Sequence, residues 1–181
     1  MNAKLKTTLR AWPLIAAATI GLCFLTQAIA KLFGVHLPDQ QNVEVVRQWL
    51  MHAFDSTKNL ATCVFLLMQV LLLLPAVEEF IFRWLLFMLP MRIVAEKTGR
   101  STADNRNPGP VGYSLAAVSS ALFSAAHYIA QPFPDAAFIA LFFFGLAQCW
   151  LYNRTERIWC SMLNHSLFNL TNLLLLLILP A

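Results

Sequence analysis

Long apolar runs separated by short polar loops form the main pattern of this chain. A membrane-spanning helix needs about 20 mostly apolar residues, and five stretches meet that need: roughly 12–32, 60–91, 111–130, 136–153 and 158–179. The second stretch is too long for one minimal span. It forms either two short spans hinged at Pro75 or one long helix that is tilted or kinked. The pattern predicts an all-α, polytopic transmembrane helix bundle of about five spans.

The basic residues in the loops favour the single long helix. With the N-terminus in the cytoplasm and 60–91 as one span, nine basic residues lie inside and three outside. Two spans would instead place the cluster from Arg92 to Arg106 outside, against the positive-inside tendency. We therefore predict an inside N-terminus and an outside C-terminus. The inside residues are Lys4, Lys6, Arg10, Arg92, Lys97, Arg100, Arg106, Arg154 and Arg157, and the outside ones are Lys31, Arg47 and Lys58.

The first 59 residues have a different character from the rest. The apolar run ending at Ala28-Ile-Ala30 follows three basic residues, as in a cleavable signal peptide, but a retained first anchor is favoured in a polytopic chain. Residues 35–59 mix charged and apolar positions at a spacing typical of an amphipathic surface helix. We predict an anchor span with an extramembrane amphipathic loop in 1–59 and a membrane core in 60–181.

Composition supports the membrane interpretation. Hydrophobic residues make up 59% of the chain, charged residues 12%, and the mean hydropathy is +0.62, whereas soluble domains carry about twice that charge. The net charge of +4 does not indicate nucleic-acid binding, because the basic residues are spread over short loops without interleaved aromatics. The four cysteines lack zinc-type spacing and suggest no disulfide framework. Membrane lipid is the expected surrounding.

Three ionisable residues interrupt the second apolar run. Glu78, Glu79 and Arg83 lie in a segment where each charge costs several kcal/mol unless it faces a bundle interior or a water-filled cavity. Glu79 and Arg83 are four residues apart, with the acid first, which is the favourable order for an ion pair on a helix. Glu78 points about 100° away, so it must find another partner or be protonated by desolvation. A structural polar cluster is the alternative explanation.

Two further runs carry a histidine each, one helical turn from a second residue. Phe123 precedes His127 by four positions, and His165 precedes Asn169 by four, so each pair shares a helix face. Either pair alone is typical of packing, with Asn169 as a hydrogen-bonding contact between helices. Together with the carboxylates they supply a base, a second base or ligand, and oxyanion donors. The combination favours an intramembrane hydrolytic site.

These residues resemble, in order, the three motifs of the CPBP intramembrane proteases. EExxxR corresponds to Glu78–Arg83, FxxxH to Phe123–His127, and HxxxN to His165–Asn169. The family includes the type II CAAX prenyl endopeptidases and the bacteriocin self-immunity proteins. Three ordered motifs make the resemblance, which covers about residues 65–172, a specific one.

The resemblance implies an intramembrane endopeptidase of the glutamic type, whose site opens to the cytoplasm. By family role, Glu78 is the general base that activates water, His127 assists it, and His165 and Asn169 stabilise the oxyanion. The same resemblance assigns an ion pair and a packing or pocket-lining residue to supporting positions. These positions are Glu79, Arg83 and Phe123.

Several alternatives remain open. The sequence contains no HExxH, GxGD or GxSG motif of other intramembrane proteases. We favour water activation without a cofactor, and Zn²⁺ held by Glu78, His127 and His165 is the alternative. The expected substrate is a membrane-associated protein or a lipidated peptide, and the expected location is the plasma membrane of a prokaryote. A non-catalytic membrane immunity or scaffold protein is the second functional hypothesis.

Overall fold

Helices make up the described part of the chain. The computed structural model describes residues 2–37, 60–98, 108–129 and 135–178, together with positions 46, 48 and 51. Within these residues there are five long helices and no strand, so the predicted all-α bundle is confirmed. The amphipathic helix predicted for 35–59 lies mostly outside the described residues, as does most of the loop from 98 to 108.

The five helices occupy the five predicted apolar stretches. Three of them, α1, α2 and α5, are long and apolar enough to cross a membrane. That α3 and α4 also cross it stays a prediction. The bounds are Ala3–Leu32 for α1, Leu60 to Lys97 for α2, Gly109–Ala126 for α3, Ala137–Thr155 for α4 and Ile158–Ile178 for α5.

Two helix ends extend past their apolar cores. The predicted start of α1 near residue 12 moves to Ala3, because Asn2 caps the helix by accepting a 3.0 Å hydrogen bond from the backbone N–H of Lys4. The predicted end of α2 near Met91 moves to Lys97. Hydropathy marks where a helix can lie in lipid, while backbone hydrogen bonding continues into charged residues that are themselves good helix formers.

The second apolar stretch is one continuous helix, α2. It contains two segments of π-helix, Gln69–Leu73 and Glu79–Met88, set between α-helical segments. In both cases the residue after the segment donates its N–H five positions back, Leu74 to the Gln69 carbonyl and Leu89 to that of Trp84. The α-helical segments are Leu60–Met68, Leu74–Glu78 and Leu89–Lys97.

Each π segment ends just before a leucine-proline pair. Pro75 and Pro90 are the second residues of the α-helical segments that follow. A proline in a helix lacks an N–H donor, and its ring clashes with the carbonyl four residues back. One extra residue in the preceding turn changes which carbonyl faces the ring, so the helix continues without breaking. The prediction of one long helix is thus met, and Pro75 marks a change of helical register within it rather than a hinge between two spans.

The bundle packs around α4. This helix contacts α1, α3 and α5, while the second π segment of α2 contacts α3, α4 and α5. Gly145 allows α3 and α4 to approach closely, since a Cβ there would lie 2.8 Å from the Ser120 Cβ. A buried core of small and aromatic residues fills the centre, namely Ala16, Phe123, Ala137, Leu141, Phe144 and Phe168. The motif residue Phe123 thus lies at the meeting point of several helices.

Candidate active site

The predicted ion pair is present in α2. Arg83 Nε lies 3.3 Å from Glu79 Oε2, and both side chains are completely buried. The second π segment begins at Glu79, so the pair occupies its first turn. A charged side chain that is removed from water is costly unless an opposite charge lies next to it. The pair therefore forms a neutral unit inside the apolar bundle.

Phe123 from α3 forms the other wall of the arginine site. The guanidinium carbon of Arg83 lies 4.2 Å from the centre of the Phe123 ring, and Phe123 is fully buried. The face of an aromatic ring carries negative charge density and attracts a cation, most strongly when water is absent. Phe123 thus makes an electrostatic contact with Arg83, the last residue of the EExxxR motif.

His165 from α5 lies between the two carboxylates. Its Nδ1 is 2.9 Å from Glu79 Oε1, and its Nε2 is 3.5 Å from Glu78 Oε2. Because Glu79 also pairs with Arg83, its Oε1 accepts a hydrogen bond from the Nδ1–H of His165. This bond fixes the ring and directs Nε2 at Glu78. His165 is thus a partner of Glu78.

The two carboxylates differ in their access to solvent. The side chain of Glu79 is 0% exposed, whereas that of Glu78 is 28% exposed. Glu79 has its oxygens directed at Arg83 and His165, while Glu78 keeps part of its surface open. A molecule the size of water can contact the side chain of Glu78 but not that of Glu79. Glu79 thus orients neighbouring groups, whereas Glu78 is accessible.

His127 lies just beyond the last residue of α3. Its Nδ1 is 2.9 Å from the Phe123 carbonyl, which can only accept, so Nδ1 carries the proton and Nε2 is left for another partner. The ring packs edge-on against Phe123 at 4.8 Å, and the His165 ring packs against the same phenyl group at 5.9 Å. Phe123 thereby connects all three motifs.

Asn169 has a different partner from the other motif residues. Its amide nitrogen Nδ2 donates a 2.9 Å hydrogen bond to the backbone carbonyl of Val70, in the first π segment of α2. The predicted role as an oxyanion donor stays a prediction.

Among the described residues, no group of three or more histidine, cysteine, aspartate or glutamate side chains is arranged to hold a metal ion. Of the proposed zinc ligands, Glu78 and His165 are in contact, and the His127 ring packs against Phe123, as the His165 ring does. The four cysteines are free thiols.

A buried amide pair near the site was not singled out from the sequence. Gln148 Nε2 of α4 donates a 2.9 Å hydrogen bond to Asn164 Oδ1 of α5, and both side chains are fully buried. Asn164 directly precedes His165. The signal was available, because an amide within an apolar span usually bonds to a neighbouring helix. This contact fixes the turn of α5 that carries His165.

An apolar groove of about 1060 Å³ runs along α2 toward the site. Its lining begins at Ala61 and ends at Ala76, two residues before Glu78, and among the described residues Gln69 is the one polar side chain in it. A surface of this kind excludes charged ligands and fits hydrocarbon.

The comparisons with known proteins agree with the three motifs. Residues 59–171, more than half of the chain, match the model of the family described as type II CAAX prenyl endopeptidase Rce1-like. The match includes every motif residue from Glu78 to Asn169. No curated protein and no solved structure shows a significant match. The apolar helices, the buried polar site and the family match agree with one another. The chain is therefore an integral membrane protein and belongs to the Rce1-like type II CAAX prenyl endopeptidase family of intramembrane proteases.

Proposed function

We propose that this protein is an intramembrane endopeptidase that hydrolyses a peptide bond with a water molecule activated by Glu78. The observation that carries the proposal is the position of His165, whose Nδ1 is held by buried Glu79 while its Nε2 faces partly exposed Glu78. A base that water can reach and an imidazole of fixed orientation are two requirements of peptide hydrolysis. Partly exposed Glu78 and the His165 ring held by Glu79 support the proposal on these two points.

In the proposed reaction, each of these side chains has an assigned role. Glu78 takes a proton from water as the water oxygen attacks the peptide carbonyl, and it returns that proton to the leaving amine. His165, when protonated at Nε2, donates to the oxygen on which negative charge develops. Buried Glu79 stabilises the charged imidazole. His127 offers its Nε2 as the second base.

A lipidated peptide is the proposed substrate class. The apolar groove on α2 ends at Ala76, so a hydrocarbon chain lying in it would place its attached peptide near Glu78. We propose that the site opens to the cytoplasmic side of a prokaryotic plasma membrane.

The lipid preference is tested with one peptide prepared with and without a long hydrocarbon chain. We expect kcat/KM to be about tenfold or more higher for the lipidated form, because each buried methylene contributes about 0.8 kcal/mol. Leu73→Gln in the groove should reduce the difference, while Val111→Gln, at an exposed apolar position of α3, should not. Equal rates for both peptides would contradict the lipid preference without affecting the proposed chemistry.

Glu78→Gln tests the catalytic proposal. The amide keeps the size of the side chain but cannot accept a proton from water, so the turnover of a membrane-protein substrate should fall about 100-fold or more with folding intact. Glu96→Gln is the matched control, since Glu96 lies exposed on the same helix and its loss should leave turnover unchanged. The assay is repeated with a chelator, and loss of wild-type activity there would favour the zinc alternative with Glu78, His127 and His165.

A non-catalytic immunity or scaffold protein is the second candidate. The observation that favours it is the number of motif side chains engaged in structural contacts, among them Glu79 with Arg83 and Asn169 with Val70. Full cleavage by Glu78→Gln, or a biological effect unchanged by that variant, would support this candidate and contradict the enzyme proposal.

A further inference from the structure

The first π segment of α2, together with Pro75, removes the helical donor of the Val70 carbonyl. Leu74 donates its N–H to the Gln69 carbonyl, five residues back. In the same register the next bond would join the N–H of residue 75 to the carbonyl of Val70. Residue 75 is a proline and has no N–H. The Val70 carbonyl therefore needs a donor from outside the helix, because a polar group in an apolar surrounding is costly when unpaired.

The missing donor comes from α5. Asn169 Nδ2 lies 2.9 Å from the Val70 carbonyl oxygen, at normal hydrogen-bonding distance. An amide in a spanning helix can bond to many neighbouring groups, but this one reaches the carbonyl that Pro75 leaves vacant. The sequence thus contains a matched pair, a proline that removes a donor and an asparagine that supplies one.

The contact lies next to the proposed catalytic groups. On α5, Asn169 is one turn from His165, and on α2, Pro75 is three residues before Glu78. Hydrogen bonds therefore join the two helices on both sides of Glu78, from Asn169 to Val70 and from His165 to Glu79. Glu78 lies in the short α-helical segment Leu74–Glu78, between the two points of attachment. Movement of this segment would change the 3.5 Å separation between Glu78 Oε2 and His165 Nε2.

We propose that Asn169 is a positioning residue, which replaces the backbone donor removed by Pro75 and thereby holds Glu78 opposite His165. The part of this inference that concerns activity rests on the proposed function. The part that concerns the helix contact does not. The role differs from oxyanion stabilisation, because the amide acts on the protein backbone rather than on the substrate.

A double-mutant cycle tests the pairing, using wild type, Asn169→Ala, Pro75→Ala and the double variant. Alanine at position 75 restores the N–H, so the loss of the asparagine amide should then matter less. We expect Asn169→Ala to lower Tm by about 2–4 °C and kcat by about tenfold with KM within about twofold, both measured well below Tm. The double variant should recover at least half of each loss.

Asn172→Ala is the matched control, being the same substitution three residues further along α5. Its effects should add to those of Pro75→Ala without recovery. If the effects of Asn169→Ala and Pro75→Ala are also additive in Tm, the inference is overturned. If Tm recovers in the double variant but kcat does not, Asn169 acts on the reacting carbonyl and its positioning role is overturned.

Outcomes of folding and of catalysis separate the inference from the proposed function. If Asn169→Ala alone cannot be purified folded, a folded double variant supports the inference, and failure of both contradicts it. The effects of Asn169→Ala and Pro75→Ala on Tm could be non-additive while Glu78→Gln keeps full activity. That result would overturn the proposed function, but it would support Asn169 as the donor that replaces the missing N–H of Pro75.

Discussion

At the scale of residues, the site is organised around one phenyl ring. Phe123 presents its face to Arg83 and packs against both His127 and His165. The aromatic residue of the FxxxH motif therefore does more than fill space. It contributes an attractive surface to the buried cation and fixes the relative position of the two imidazoles. A leucine of similar volume would offer no negative ring face.

Arg83→Ala should lower stability as well as activity. Its removal leaves Glu79 as a buried carboxylate without its cation, at a cost of about 3–5 kcal/mol. The double variant Glu79→Gln with Arg83→Met should recover part of the loss, because neither charge then remains. Thermal unfolding in detergent measures both effects. Arg92→Ala is the control, since Arg92 is exposed on the same helix. Equal stability of Arg83→Ala and wild type would show that the pair contributes nothing.

At the scale of helices, the π segments of α2 let the helix continue past two prolines, and one of them also carries the buried ion pair. Its π segments end before Pro75 and Pro90, so the helix continues past two residues that would otherwise break it. The second segment also carries Glu79 and Arg83. Ser119 of α3 donates a hydrogen bond to the Phe82 carbonyl within that segment. Side chains of neighbouring helices thus support backbone groups of α2.

The contact between α3 and α4 depends on Gly145. An added methyl group would lie 2.8 Å from the Ser120 Cβ and 3.0 Å from its Cα, so the two helices would have to separate. We expect Gly145→Ala to destabilise the protein by about 1–3 kcal/mol in thermal unfolding. Ser120→Gly should relieve much of this in the double variant.

Gly21→Ala serves as the control for that prediction. A Cβ at Gly21 meets nothing within 4 Å, and alanine is the better helix former, so the substitution should be neutral or stabilising. An equal loss of stability from both substitutions would mean that helix separation is not the cause.

At the scale of the whole molecule, the basic loops predict the orientation in the membrane. The nine-to-three distribution of basic residues places Thr98, at the end of α2, in the cytoplasm and Ala181 outside. Single cysteines at these two positions in a cysteine-free background should react differently with a membrane-impermeant maleimide. In intact cells, Ala181→Cys should be labelled and Thr98→Cys should be protected. A protected Ala181→Cys that reacts only after permeabilisation would rule out the five-span arrangement.

Much of the fold and part of the site follow from the sequence alone. Each of the five apolar stretches overlaps one of the five helices, because the length of an apolar run and the rise of a helix are local properties. The Glu79–Arg83 pair was likewise predictable, since residues four apart share a helix face in any surrounding. The family motifs also identified His127, His165 and Asn169 as residues of interest.

Only the tertiary structure decided which partners these residues meet. Three of these contacts join different helices. They are the hydrogen bond from His165 to Glu79, the stacking of Arg83 on Phe123, and the hydrogen bond from Asn169 to Val70. Such contacts depend on helix rotation and on the register changes at Gln69–Leu73 and Glu79–Met88, which arise from packing around two prolines. Spacing along one helix determines which side chains share a face, whereas the packing of several helices determines what that face touches.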